Sequence, residues 1–291
     1  TNFFDTLSPS ETARAISRLT EEEQFRLFSL LSPEDAADVI EDIPEAQAAD
    51  LVEDMPSEQA AAIMEELTSD HLVDVLGEMD GDASQAILAK MGWKGAEEAR
   101  ILLKYPADSA GGLMLSEFLA YKTDDTIRDV LHDMQINRSK YADYHVLYFY
   151  VVDGEGRLAG VLRMHDLLFP GRETQLTQVM ISSPLSVSDK SSLKELEDFF
   201  EKHHLFGVPV VDDGQRLVGV VLPNAVEEAI NKQKTKAFLR LSGIIGGEEF
   251  RTMPLLSRSG RRLSWLSLNI VLNLIAASVI ALYQDTLAAA I

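Results

Sequence analysis

Hydrophobic positions recur every twelve residues through the first third of the chain. Leu31, Ile43, Met55, Leu67, Met79 and Met91 share one register, preceded from Ile43 onward by the apolar pairs Val39-Ile40, Leu51-Val52, Ile63-Met64, Val75-Leu76 and Ile87-Leu88. Within a unit these fall at i, i+1 and i+4, a helical stripe, and Pro33, Pro44 and Pro56 stand where a helix would begin, with Ser32 and Ser57 as candidate caps. Each unit predicts one helix of about two turns. A helix that short cannot stand alone in water, so successive units are expected to stack their stripes into an all-α superhelix over 1–104.

From 114 the period changes. Val151-Val152-Asp153-Gly154-Glu155-Gly156-Arg157-Leu158-Ala159-Gly160-Val161-Leu162 matches Val210-Val211-Asp212-Asp213-Gly214-Gln215-Arg216-Leu217-Val218-Gly219-Val220-Val221 at an offset of 59 residues. Two β-prone runs around an Asp/Gly turn predict a hairpin in each copy. An amphipathic helix precedes each hairpin (126–135 and 192–202), and a short extended stretch precedes each helix (118–121 and 184–187). The expected order is strand, helix, strand, strand, helix, twice, over 114–172 and 177–232. A linker at 105–113 joins this pair to the superhelix.

The last apolar feature is LSWLSLNIVLNLIAASVIALY over 263–283, 21 residues without a charge. At about 1.5 Å per residue it spans roughly 31 Å, the depth of a bilayer's hydrocarbon core. Arg258, Arg261 and Arg262 precede it and place the upstream chain, up to about 262, in the cytoplasm. Asn269 and Asn273, at i and i+4, form a polar stripe suited to contact with other helices. Residues 223–241 read as a helix basic at its centre, with Lys232, Lys234, Lys236 and Arg240, suited to the acidic superhelix, to anionic lipid or to a solvated connector, and 233–262 as the connecting helix. The short remainder, 284–291, reads either as the end of a tail anchor or as the start of a following segment in a longer polypeptide.

Charge sharpens the picture. Formal net charge is −21, and the first hundred residues hold 24 acids against 6 bases. Between 21 and 82 there are 20 acids and one base, Arg26. A field of that sign repels nucleic acid and attracts cations. Asp38, Asp50 and Asp74 share one place in the repeat, and Asp70 and Asp74, at i and i+4, share one helix face. Two readings stand: a solvated acidic face, or an oxygen-only site for hard divalent cations such as Mg²⁺, Ca²⁺ or Mn²⁺. Cysteine is absent, which excludes disulfides, thiolate metal sites and a Cys nucleophile. Six histidines show no HExxH spacing, and Gly111-Gly112 and Gly246-Gly247 lack a phosphate-loop frame, so no enzyme activity is expected.

The duplicated hairpin with its apolar-Val-Asp…Arg-Leu-x-Gly signature resembles the CBS domain, and two copies resemble the disc-shaped tandem pair of that family. The resemblance implies a cleft for ATP or another adenine nucleotide. An Asp opening the last helix would bind ribose hydroxyls; Asp166 holds that position in the first copy, beside His165 and the aromatic Tyr148. The second copy has Leu222 and Ala225 at the equivalent positions.

The order of parts, with Tyr105-Pro106-Ala107-Asp108-Ser109-Ala110-Gly111-Gly112-Leu113-Met114 before the first α/β unit and Arg261-Arg262-Leu263-Ser264-Trp265 at the membrane entry, resembles the MgtE family of magnesium transporters. The fold class expected is multidomain: a superhelical N domain, a tandem CBS pair, a connecting plug helix and one transmembrane helix. The family implies a homodimeric inner-membrane Mg²⁺ channel whose cytoplasmic part senses Mg²⁺ and gates the pore. Carried over by position, its metal ligands fall on Asp38, Asp70 and Asp74, with Glu228 as a facing partner. Asn224, Ala225, Lys236, Ala237 and His204 depart from the acidic pattern, and Lys232, Lys234 and Lys236 offer fixed positive charge where the family uses metal. A tail-anchored CBS regulator sensing adenine nucleotide is the competing reading.

Overall fold

The computed structural model describes residues 8–138, 141, 144, 148–241, 267, 270–275 and 277–278. Two compact units divide at Ala229/Ile230 and are treated separately.

Eight helices of 8 to 10 residues build the first part: α1 (Pro9–Ile16), α2 (Glu21–Leu30), α3 (Pro33–Glu41), α4 (Glu45–Glu53), α5 (Ser57–Met64), α6 (Ser69–Glu78), α7 (Gly81–Leu88) and α8 (Trp93–Leu102). Helices two apart pack together, α3 on α5, α4 on α6, α5 on α7 and α6 on α8, which is the superhelix the twelve-residue stripe calls for. Ile43, Met55, Leu67, Met79 and Met91 are all buried in one continuous core with the apolar pairs. Prolines set the starts, at the first position of α3 and as N-cap of α4 and α5. Ser32 caps α3 by accepting the Asp35 N–H at 3.2 Å, whereas Ser57 lies inside α5 and caps nothing, because Pro56 already occupies the N-cap.

A rung repeats with the helices. The carboxylate that closes α3, Glu41, accepts the N–H of Thr68, the N-cap of α6, at 3.1 Å; Glu53 at the end of α4 does the same for Asp80 ahead of α7 at 2.6 Å; Glu65 after α5 does so for Gly92 ahead of α8. Each removes one orphan donor from a helix start three helices on.

The α/β part follows through α9 (Ala110–Leu113), capped by Ser109. One sheet is ordered β1 (Leu119–Lys122), β2 (Tyr148–Val152), β3 (Leu158–Arg163), β4 (Ile181–Ser182), with β1 and β2 parallel and the other pairs antiparallel. The other is β5 (Val187–Ser188), β6 (Val208–Val211), β7 (Leu217–Val221), again parallel then antiparallel. Helices α10 (Ile127–Ile136) and α11 (Leu193–His203) stand between the parallel strands, each with a Ser/Thr capping box. The first copy departs from its expected final helix: a short 3-10 turn, Met164–Leu167, takes that place, and β4 extends the sheet instead. In the second copy the final helix is long, α12 (Pro223–Leu241).

The signature residues have matching jobs. Asp153 Oδ1 accepts the N–H groups of Glu155 and Arg157, both at 2.9 Å, and Asp212 Oδ1 those of Gly214 and Arg216, both at 2.8 Å. The hairpin tips join across the pair, Leu158 N–H to Gln215 O and Leu217 N–H to Gly156 O. Gly160 and Gly219 are related by the same offset, and a Cβ on either would collide with a methionine, Met180 or Met114 respectively. The segment before β1 pairs with the opposite copy, Leu115 exchanging both backbone hydrogen bonds with Val220. The expected linker at 105–113 is thus docked, with Gly111 N–H on Asp189 O and Tyr105 OH on Asp189 Oδ2 at 3.2 Å.

Among the described residues no helix is long and apolar enough to cross a membrane. The expected span 263–283 falls largely outside the described residues; of it, 267, 270–275 and 277–278 are described, and all nine are helical and exposed.

Candidate cation and nucleotide sites

Helix α6 carries two of the four expected cation ligands, and its first turn is the most heavily tied point in the N domain. Ser69 is 5% exposed. Its N–H and hydroxyl both donate to the Glu117 carboxylate, at 3.2 and 2.8 Å, while its oxygen accepts the Ser116 N–H at 2.9 Å. Ser116 and Glu117 lead directly into β1, so this clasp fastens the superhelix to the first α/β unit. Burial raises the Glu117 pKa above the usual carboxylate range; the Ser69 hydrogen bond opposes this, and the nearby Asp70 and Glu98 charges add to it.

Asp70 is next, half-buried, accepting the His71 N–H at 2.9 Å. Asp74 lies one turn on, on the same face. Asp38 sits exposed on α3, one turn before Glu41. Glu228 sits exposed on α12, and its charge acts on His71. Sequence reading passed over His71 and Glu41. His71 Nδ1 lies 3.4 Å from Glu41 Oε1 and 3.2 Å from Thr68 Oγ1. The Glu41 hydrogen bond raises the imidazole pKa to about 9, against desolvation and with help from the Asp70, Glu41 and Glu228 charges. At neutral pH His71 is therefore an imidazolium set among carboxylates. Burial acts to raise the Glu41 pKa, but the bonds from His71 and Thr68 prevail and hold it low.

Among the described residues no three histidine or carboxylate side chains converge on one point that could hold a metal ion. Asp38, Asp70, Asp74 and Glu228 do not form a closed cage within one chain. Elsewhere in the N domain like charge does act on a carboxylate, at Asp50, whose pKa is raised by desolvation and by Glu53 and Asp54.

The second candidate lies between the two α/β copies. A cleft is lined by Glu117, Phe118, Tyr148, Tyr150, Phe206 and Leu222, among others. Phe118 meets Tyr150 edge-on at 6.2 Å with Tyr150 buried, and Phe206, 68% exposed, presents an open aromatic ring. Tyr148 is among the residues that line the cleft. His165 and Asp166 lie beyond the end of β3, whose Arg163 pairs in register with Tyr148. Asp166 accepts the Arg163 N–H at 2.9 Å and its guanidinium at 3.0 and 3.1 Å, with His165 Nε2 at 3.1 Å. Burial works against the charged form of Asp166, and the Arg163 bonds outweigh it to lower the pKa. Its carboxylate is engaged as a turn cap, so a ligand reaching it must displace Arg163.

A family model described as the MgtE intracellular N domain matches residues 7–108, and the CBS domain model matches 110–169 and 176–232. The chain is 27% identical to a magnesium transporter MgtE of Enterococcus faecalis over 190 residues, 65% of this chain and 41% of that protein. It is 24% identical to one of Bacillus subtilis over 202 residues, 69% and 44% respectively. The matches thus span less than half the length of these relatives. Among solved structures, the soluble part of a magnesium transporter superposes with TM-score 0.71 at 26% identity, over 79% of this chain and 90% of that one. The cytosolic domain of the Mg²⁺ channel MgtE in complex with ATP gives 0.70 at 27%, over 78% and 92%.

Proposed function

We propose that this chain, which belongs to the MgtE family through its N domain and CBS pair, is the Mg²⁺-sensing, gating part of a magnesium transporter. The observation that carries the reading is the Ser69–Glu117 clasp, which holds the acidic face of α6 against the entry to the CBS pair. A cation bound to Asp70 and Asp74 neutralises that face just where N domain and CBS pair meet. Mg²⁺ keeps several of its own waters and takes only one or two carboxylates, so an open donor set suits it. Asp38 and Glu228 are the further carboxylates of this reading, and Ca²⁺ and Mn²⁺ the competing ions.

In the same reading the chain works as a homodimer at the inner membrane, with 263–283 as its first span and the residues before it cytoplasmic. It performs no chemistry of its own. The test is the hydrodynamic radius of the full chain in detergent during a Mg²⁺ titration at constant ionic strength. Saturable compaction, lost in Asp70→Asn/Asp74→Asn, is expected; a flat titration overturns the reading.

A nucleotide in the cleft is favoured by its exposed aromatic lining and by the ATP complex of the related cytosolic domain. The adenine stacks on Tyr148 and Phe206, and Asp166 and His165 face the ribose once Arg163 is displaced toward the phosphates. Tyr148→Ala is expected to weaken ATP binding measured by calorimetry; unchanged affinity contradicts this placement.

A further inference from the structure

Helix α8 joins exposed apolar side chains to exposed lysine and arginine, whereas α2, which also exposes Phe25 and Leu30, does so among acids. Ala96, Ala99 and Leu102 are buried and hold α8 on the core. Trp93, however, is 83% exposed and Ile101 47% exposed, although both belong to residue types that a soluble helix normally turns inward. At 100° per residue Trp93, Lys94, Glu97, Arg100 and Ile101 share about a third of the circumference, Lys104 follows in the turn just past the helix end, and all six are exposed. The charge also reverses here. Residues 90–104 carry four bases and two acids, against one base and 20 acids over 21–82. Arg100 leans on Glu97 at 3.8 Å, and Lys90 is paired with Glu58 at 2.6 Å. Lys94 and Lys104 form no ion pair among the described residues.

We infer that this face of α8 rests on an anionic membrane surface. An indole and a branched aliphatic side chain flanked by lysine and arginine match the boundary between lipid head groups and acyl chains, which accepts the rings and pairs with the cations. A purely polar acidic partner would satisfy the lysines and leave the indole in water. The surface potential of anionic lipid attracts this patch and repels the acidic faces of α2 to α6 within a Debye length, so the N domain can approach a bilayer by α8 alone. The contact requires neither Mg²⁺ nor nucleotide.

The chain has two tryptophans, so Trp265→Phe leaves Trp93 as sole indole. The full-length Trp265→Phe chain is mixed with vesicles of phosphatidylcholine, alone or with phosphatidylglycerol, and Trp93 emission is recorded. The expected result is a blue shift, with quenching by brominated acyl chains, in the anionic vesicles only. High salt, or Lys94→Gln with Lys104→Gln, should abolish it. If Trp265→Phe alters the fold, the difference between the parent and its Trp93→Phe variant reads the same signal. Water-like Trp93 emission in both vesicles overturns the inference. So does an equal shift in neutral vesicles, or a lipid-free shift on raising protein concentration, which would mark a protein partner instead.

Discussion

Glu41 reaches across 27 residues to Thr68, accepting both its N–H and its hydroxyl at 3.1 Å. The same step recurs from Glu53 to Asp80 and from Glu65 to Gly92. At the two earlier steps the receiving N-caps are Pro44 and Pro56, which have no N–H, and the residues 27 before them are Ser17 and Ser29. Acid is present where a donor waits. Part of the negative charge of the N domain is thus architectural.

Glu53→Ala is expected to destabilise the chain by about 1 kcal/mol, the usual worth of a helix cap. Glu66→Ala, one residue past a rung, should stay within about 0.5 kcal/mol. Urea unfolding followed by circular dichroism separates the two.

The His71–Glu41 pair gives a signed pH dependence. The imidazole pKa rises on folding from its ordinary 6.5 to about 9. Its contribution is therefore complete below pH 6.5 and fades as pH climbs through about 9. Unfolding midpoints measured across that window should fall in the parent, and His71→Gln should flatten the fall.

Ser69→Ala removes the hydroxyl that donates to Glu117 and accepts the Ser116 N–H, and leaves only the residue-69 backbone N–H on a carboxylate that has little water to replace the loss. A loss of about 2 kcal/mol is expected. Proteolysis near 104–118 should also accelerate as the N domain loosens from the CBS pair. Unchanged cleavage rates would mean that the clasp does not hold the two together.

Gly160→Ala places a methyl against the Met180 side chain, and overpacking of this kind costs about 1–3 kcal/mol. Met180→Ala in the same chain should recover much of the loss, a coupling that a double-mutant cycle reads directly. Gly219 and Met114 should behave alike, as the pseudo-symmetric pair.

The superhelix was legible because its buried register is apolar every twelfth residue, from Ile43 to Met91. The hairpins were legible because Asp153 and Asp212 recur 59 residues apart with the same turn around them. The rungs were not, since Glu41, Glu53 and Glu65 sit beside Asp42, Asp54 and Glu66 and look alike in composition. Spacing within the chain did hold a signal, in acids placed 27 before N-caps that can donate. Ser69 and Glu117 meet across 48 residues with no periodicity to announce them. The imidazolium at His71 depends on neighbours from three helices, α3, α6 and α12, which no local pattern reveals. Asp166 was expected to open a final helix and instead lies in a 3-10 turn after β3, and its engagement by Arg163 needed the folded register of β2 and β3.

Under the proposed function, cation binding on α6 tightens the junction between N domain and CBS pair. Hydrogen exchange of the full chain, followed at 69–74 and 115–117 with and without Mg²⁺ at fixed ionic strength, tests it most directly. Mg²⁺ should slow exchange in both segments together, and Asp70→Asn/Asp74→Asn should abolish the effect while leaving the Mg²⁺-free rates intact. Exchange at 69–74 and 115–117 that is indifferent to Mg²⁺ would contradict the account.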